Sequence, residues 1–188
     1  MRQLAEAIEL AETVSGVDVL DAEYSRLLGY PKGVELEGRA RELAEWARAW
    51  YAENGQPWMY ARQAESFSIA GNVIHIDGAQ FTSKRLQATL EQAGAHSAIL
   101  VAVGAGAEAE EEARRRWADE KPDEYFFLEM YASAVVERLA TMAGARLCDW
   151  AELRGMAVLP HYSPGYQEWD VAQQPVTGAS RRRLFRSL

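Results

Sequence analysis

The chain reads as a single α+β domain: a twisted, mainly antiparallel sheet packed with helices, one of them long, central and buried. Three observations predict this. Strand-like and helix-like segments mix without a regular βαβ rhythm, which disfavours a doubly wound parallel sheet. Residues 66–78, SFSIAGNVIHIDG, carry a hairpin signature. Residues 123–147 are apolar around most of a helical circumference, as a helix in the middle of a fold would be. The length of 188 residues suits one core, and 48% hydrophobic with 26% charged residues argues against disorder.

Taken in order, residues 2–14 read as a short amphipathic helix, part of an N-terminal helical extension over 1–17. Residues 20–29 read as a second helix, stopped by Gly29 and Pro31. Leu36, Ala40, Leu43, Ala47 and Trp50 recur at helical spacing, predicting a helix over about 36–53 that Asn54-Gly55 and Pro57 end. In the hairpin, Phe67 and Ile69 alternate before Ala-Gly-Asn, and Val73, Ile74 and Ile76 follow it. Residues 81–94 read as a helix opened by Thr82 or Ser83 and closed at Gly94. SAILVAVGAG, 97–106, reads as a buried strand ending in a glycine turn. AEAEEEARRRWADE then gives a charged surface helix, acidic first and basic second, as the helix dipole and i,i+4 pairing favour. Pro122 and Asp123 open the long helix, and MAVLPHY, 156–162, reads as a last strand.

The same sequence narrows the function classes. No apolar run approaches the roughly 20 residues of a membrane span, and the N-terminus lacks a signal peptide's apolar middle, so a cytoplasmic protein is expected. A net charge of −8 disfavours nucleic acid as a partner. The basic cluster RRRLFR at 181–186, within the tail 176–188, reads as a solvated end. His75, His96 and His161 are too scattered for a metal site, and none is expected. Cys148, the one cysteine, reads as a small core residue. VGAGAE at 103–108 lacks both the full GxGxxG pattern and a Walker lysine, and reads mainly as a connection. No Ser/His/Asp, HExxH or nucleophile-elbow pattern supports hydrolysis, and no catalytic residue is assigned.

Two features carry candidate binding chemistry. LPHYSPGYQEWD, 159–170, is stiffened by Pro160 and Pro164, and Ser163-Pro164-Gly165-Tyr166 fits a type II turn. A loop that is stiff beforehand lowers the ordering cost of binding. Backbone groups of Tyr162 and Ser163 suit a flat polar edge, Tyr162, Tyr166 and Trp169 suit a ring face, and His161 or Asp170 suits a charged end. An equally good reading makes this a rigid loop whose aromatics fill the core. On the long helix, Glu129, Ser133, Glu137 and Thr141 fall four apart and form one line. A carboxylate on such a helix either holds a partner or ligand, or marks the one wet face. Glu137, between Val135, Val136, Leu139 and Ala140, is the sharper candidate.

These residues resemble a known family. SPGYQEWDVAQQ, preceded by His161 and a strand, resembles the C-terminal motif of methionine synthase activation domain-like proteins, relatives of the reactivation domain of cobalamin-dependent methionine synthase. SAILVAVGAGAEAE, EYFFLEMYASAVVERLATMAGARL and GYPKGVELEGRARELAEWA resemble the family's strand and turn, central helix and early turn and helix. The resemblance spans about residues 18–175 in order.

It implies an S-adenosylmethionine-binding reactivation module, an accessory component rather than a complete catalyst. Such a module acts in trans on a cobalamin-dependent methyltransferase of methionine biosynthesis, or on another corrinoid protein. S-adenosylmethionine gives a methyl group and a redox protein, with a flavodoxin-like donor as candidate, gives an electron; together they restore the inactive Co(II) corrinoid. The partner supplies the cobalamin. By the same resemblance Gly165 and Tyr166 fall on the family's GY pair, and Glu137 meets the ligand's ammonium or sulfonium. His161 stands where the family has a carboxylate-gripping arginine, and a neutral imidazole is a weaker anion clamp. Thr141 stands where the full-length enzyme has a glutamate. The alternative is a non-catalytic module for another adenosine or corrinoid ligand, or a docking protein for a corrinoid protein.

Overall fold

The computed structural model describes residues 7–163, and its class is α+β. Along the chain come β1 (Glu9–Thr13), α1 (Asp21–Leu27), α2 (Gly38–Asn54), β2 (Trp58–Gln63), β3 (Phe67–Ala70), β4 (Val73–Ile76), β5 (Ala79–Phe81), α3 (Lys84–Gln92), β6 (Ile99–Gly104), α4 (Ala107–Ala118) and α5 (Pro122–Glu152). The strands form two three-stranded sheets, ordered β1-β2-β6 and β3-β4-β5. In the first, Val14 N–H donates to Pro57 C=O at 2.8 Å and Gln63 N–H to Ile8 C=O at 2.9 Å, which fixes β1 and β2 as antiparallel. In the second, Ile69 lies opposite Ile74, and Ile74 opposite Phe81.

The chain groups into two compact units. The larger holds Glu9–Ala61 and Val101–Ala157; the smaller holds Arg62–Leu100 with, among the described residues, 7–8 and 158–163. The larger is built on α5, which packs against α1, α2 and α4. Its buried stripe runs Phe127, Leu128, Tyr131, Ala134, Val135, Leu139, Ala143, Leu147 and Ala151, the 3- and 4-residue steps of one helical face. Facing it are Tyr24 of α1, Leu43, Ala47 and Tyr51 of α2, and Ala109 and Ala113 of α4. The Tyr24 and Tyr51 rings meet Tyr131 at 5.1 and 5.4 Å, and the Tyr24 hydroxyl donates to Phe127 C=O at 2.7 Å. Burial first, and then neighbouring Tyr131, holds the Tyr24 phenol far above its ordinary range.

The smaller unit has its own core of Ile74 and Phe81, with Phe67, Ile69, Ile76, Leu86, Leu90 and Tyr162 packed around them. Ser83 caps α3 by accepting Leu86 N–H at 3.3 Å. Arg62 pairs with Asp77 at 2.5 Å, and Ser66 N–H donates to the same carboxylate at 2.9 Å. Burial pushes the Asp77 carboxyl up, but these bonds outweigh it and hold it below the ordinary range.

Four expectations are corrected. Residues 9–13 are a strand, not part of a helix: exposure alternates from Glu9 to Thr13, and β2 supplies the backbone partners a helix would have supplied itself. Residues 156–162 form no strand. Gly155 N–H donates to Glu152 C=O and Met156 N–H to Ala151 C=O, each at 3.0 Å, which closes α5 in a Schellman motif, and the chain runs on without a ladder. Residues 99–104 are a strand, but a half-buried one, with Val101 exposed. Cys148 is exposed because α5 runs on to Glu152, with its inward face at Leu147 and Ala151.

Candidate functional site

Within the larger unit a cleft of about 430 Å³ opens between α5 and the start of α4. That volume lies at the lower end of the range for small-molecule sites. One wall is the line read from sequence, Glu129, Ser133 and Glu137, with Ala132 and Val136 between them. The other is the turn from β6 into α4, contributing Ala105, Gly106, Ala109 and Glu110.

That second wall is set by packing. Gly104 lies so close to the Trp58 ring that an added Cβ would fall 2.5 Å from its indole nitrogen. Gly106 has φ +100°, a left-handed value that favours glycine, and an added Cβ would lie 2.5 Å from the Glu108 carboxylate and 3.0 Å from the Gln56 backbone. The Tyr51 hydroxyl donates to Ala105 C=O and so ties the turn to α2. Burial, followed by Tyr131 and Glu108, raises the Tyr51 phenol far above its ordinary range, which keeps it a donor. Below the turn, α4 is anchored by Glu112, only 7% exposed, which accepts from Arg115 and Arg116 at 2.5 Å; Arg116 also reaches Glu124 of α5 at 2.6 Å.

The carboxylates of the cleft differ. Glu129 is half-buried and makes no hydrogen bond or ion pair among the described residues. Burial, and then the charge of Glu110, raises its pKa above the ordinary carboxylate range. Glu110 itself is ion-paired to Arg114. Glu137 is not sunk among its apolar neighbours as the sequence suggested. Val135 and Leu139 turn inward while Glu137 stays 53% exposed, ion-paired to Arg26 of α1. Thr141, one turn on, is exposed and donates to Glu137 C=O at 3.1 Å.

The loop residues divide. His161 is exposed, Ser163 half-buried, and Tyr162 packs against the Ile74–Phe81 core, as a core-filling aromatic would. Gly165, Tyr166, Trp169 and Asp170 lie outside the described residues. No group of His, Cys, Asp and Glu among the described residues is arranged to hold a metal ion. None of their helices is long and apolar enough to cross a membrane. The small-residue wall and Arg26 were missed in the sequence: alanines carry no chemical signal, and the Arg26–Glu137 pair joins positions 111 apart.

No family model and no curated protein matches the chain.

Proposed function

We propose that the chain is a binding module for S-adenosylmethionine that serves, in trans, the reactivation of a cobalamin-dependent methyltransferase such as methionine synthase. The observation that carries the ligand half is the cleft. Three carboxylates, Glu110, Glu129 and Glu137, line a groove otherwise walled by small residues, and Glu129 has no cation against it among the described residues. A sulfonium nucleoside brings a flat body, which fits between small side chains, and a positive charge, which offsets the cost of a half-buried carboxylate. An anionic nucleotide would gain nothing from Glu129, and Glu110 and Glu137 already hold Arg114 and Arg26. The corrinoid half rests on the resemblance alone.

The chain's own part is to hold and orient the methyl donor, while the corrinoid comes with the partner protein. Calorimetry on the whole chain tests the reading. S-adenosylmethionine is expected to bind, and S-adenosylhomocysteine, which lacks the sulfonium charge, to bind more weakly. Glu129→Gln is expected to shrink the difference between them. A wild type that takes up neither ligand rejects the proposal. Uptake only when a corrinoid protein is present would instead favour a docking module.

A further inference from the structure

We infer that the corner joining α4 to α5 is a docking surface for a partner protein, which presents an arginine-bearing segment to it. Among the described residues every tryptophan, tyrosine and phenylalanine is buried or half-buried except two, Trp117 and Phe126, at 63% and 42% exposure. Both stand at this corner, Trp117 near the end of α4 and Phe126 near the start of α5. Trp117 meets the half-buried Tyr125 ring at 5.2 Å in a T-shaped contact instead of entering the core, so most of its indole faces water. Single exposed apolar residues are ordinary on a surface; both exposed rings at one corner are not. Tryptophan and tyrosine are the side chains that most often anchor protein interfaces. None of the three rings lines the cleft, so the inference stands apart from the proposed ligand site.

The charge around these rings selects the partner. Residues 117–126 carry four carboxylates and one lysine. The nearby cations are each set against a glutamate: Arg114 against Glu110, Arg115 and Arg116 against Glu112, and Lys121 against Glu124. Asp119, Glu120 and Asp123 are exposed and make no ion pair or side-chain hydrogen bond among the described residues. Glu120 also holds φ +58°. It closes α4 in a Schellman motif, where Lys121 N–H donates to Arg116 C=O at 2.9 Å and Glu120 N–H to Trp117 C=O at 3.2 Å. Glycine is the usual residue at that place, so the fold keeps a strained glutamate beside the exposed indole. A guanidinium matches this setting twice, since its plane stacks on an aromatic face and its N–H fork takes carboxylate oxygens. An ammonium makes both contacts only as a point charge. Nucleic acid and anionic lipid carry the wrong sign. A second copy in a symmetric dimer would set the three carboxylates against their own equivalents.

Fluorescence anisotropy on the whole chain tests the inference with three labelled octapeptides, rich in arginine, lysine or glutamate around a shared leucine–phenylalanine pair. The arginine peptide is expected to bind, the lysine peptide more weakly and the glutamate peptide not at all. Raising the salt from about 0.05 to 0.5 M is expected to weaken the arginine peptide roughly tenfold. Trp117→Ala is expected to weaken it about tenfold as well, at an unchanged melting temperature because the ring is exposed. Glu120→Gly, which relieves the backbone, is expected to weaken the same peptide without lowering the melting temperature. No uptake of the arginine peptide, equal uptake of the lysine peptide, or uptake that either variant leaves intact would overturn the inference. Self-association of the wild type that Trp117→Ala abolishes would seat a second copy on the rings and overturn the arginine partner too.

Discussion

At the scale of single residues, the cleft is governed by how each carboxylate is neutralised. Glu129 has a raised pKa, so the native state binds its proton more tightly than the unfolded chain does. Stability is therefore lost as pH rises through the ordinary carboxylate range toward the raised value. Glu129→Gln is expected to melt higher than wild type at neutral pH, with the gain disappearing in acid; an unchanged difference across the titration would show that burial does not control this group. Glu112 runs the other way. Burial pushes its carboxyl up, but Arg115 and Arg116 outweigh that and hold it below the usual range. Its contribution is present above the ordinary range and lost as pH falls through the lowered value. Glu112→Gln, measured by urea unfolding at neutral pH, is expected to cost about 1–3 kcal/mol by leaving two guanidinium groups short of an acceptor. The sequence exposed one of these two and hid the other. Glu129 was visible through its i+4 spacing with Ser133 and Glu137. Glu112 sits in a charged run that reads as solvated, and only packing beside buried Ala109 and Ala113 draws it inward.

At the scale of elements, what could be read locally was read, and what depends on distant partners was not. Helices α1 to α5 carry their own periodicity and stop signals, and the β3–β4 hairpin carries its own turn, so each appears close to where it was expected. Strand β1 does not. ELAET suits a helix by composition and becomes a strand only because Pro57 and Gln63 offer it backbone partners. The β6–α4 turn is the element on which the cleft most depends, and it is held through Tyr51. Tyr51→Phe removes one neutral hydrogen bond, a loss of about 1 kcal/mol, and frees Ala105 and Gly106 to shift. Weaker ligand uptake from a barely less stable protein is the expected result; full affinity in the variant would mean that the turn holds its shape without the hydroxyl. Gly104→Ala is expected to do more harm, about 1–3 kcal/mol in the same unfolding measurement, because the Trp58 ring occupies the space the methyl group needs.

At the scale of the whole molecule, the two compact units hold unequal cores. The larger buries Leu128, Val135 and Leu139 completely, backed by three tyrosines and the alanines of α2 and α4. The smaller rests on Ile74 and Phe81 under a ring of half-buried neighbours. Stabilisation follows apolar area removed from water, so the smaller unit has less to oppose its opening. Native-state hydrogen exchange is therefore expected to show amides of β3, β4 and α3 opening at lower free energy than those of α2 and α5. Core truncation sharpens the test. Leu128→Ala is expected to cost about 2–5 kcal/mol and to lower protection throughout α5. Ile74→Ala is expected to lower protection across β3, β4 and β5 while α5 keeps its own, since Ile74 belongs to the other core. A uniform fall in both variants would mean that the two cores open as one cooperative body. Unequal protection would place the cleft, and with it Glu129 and Glu137, on the slow-opening part of the chain, where a binding site keeps its shape before the ligand arrives.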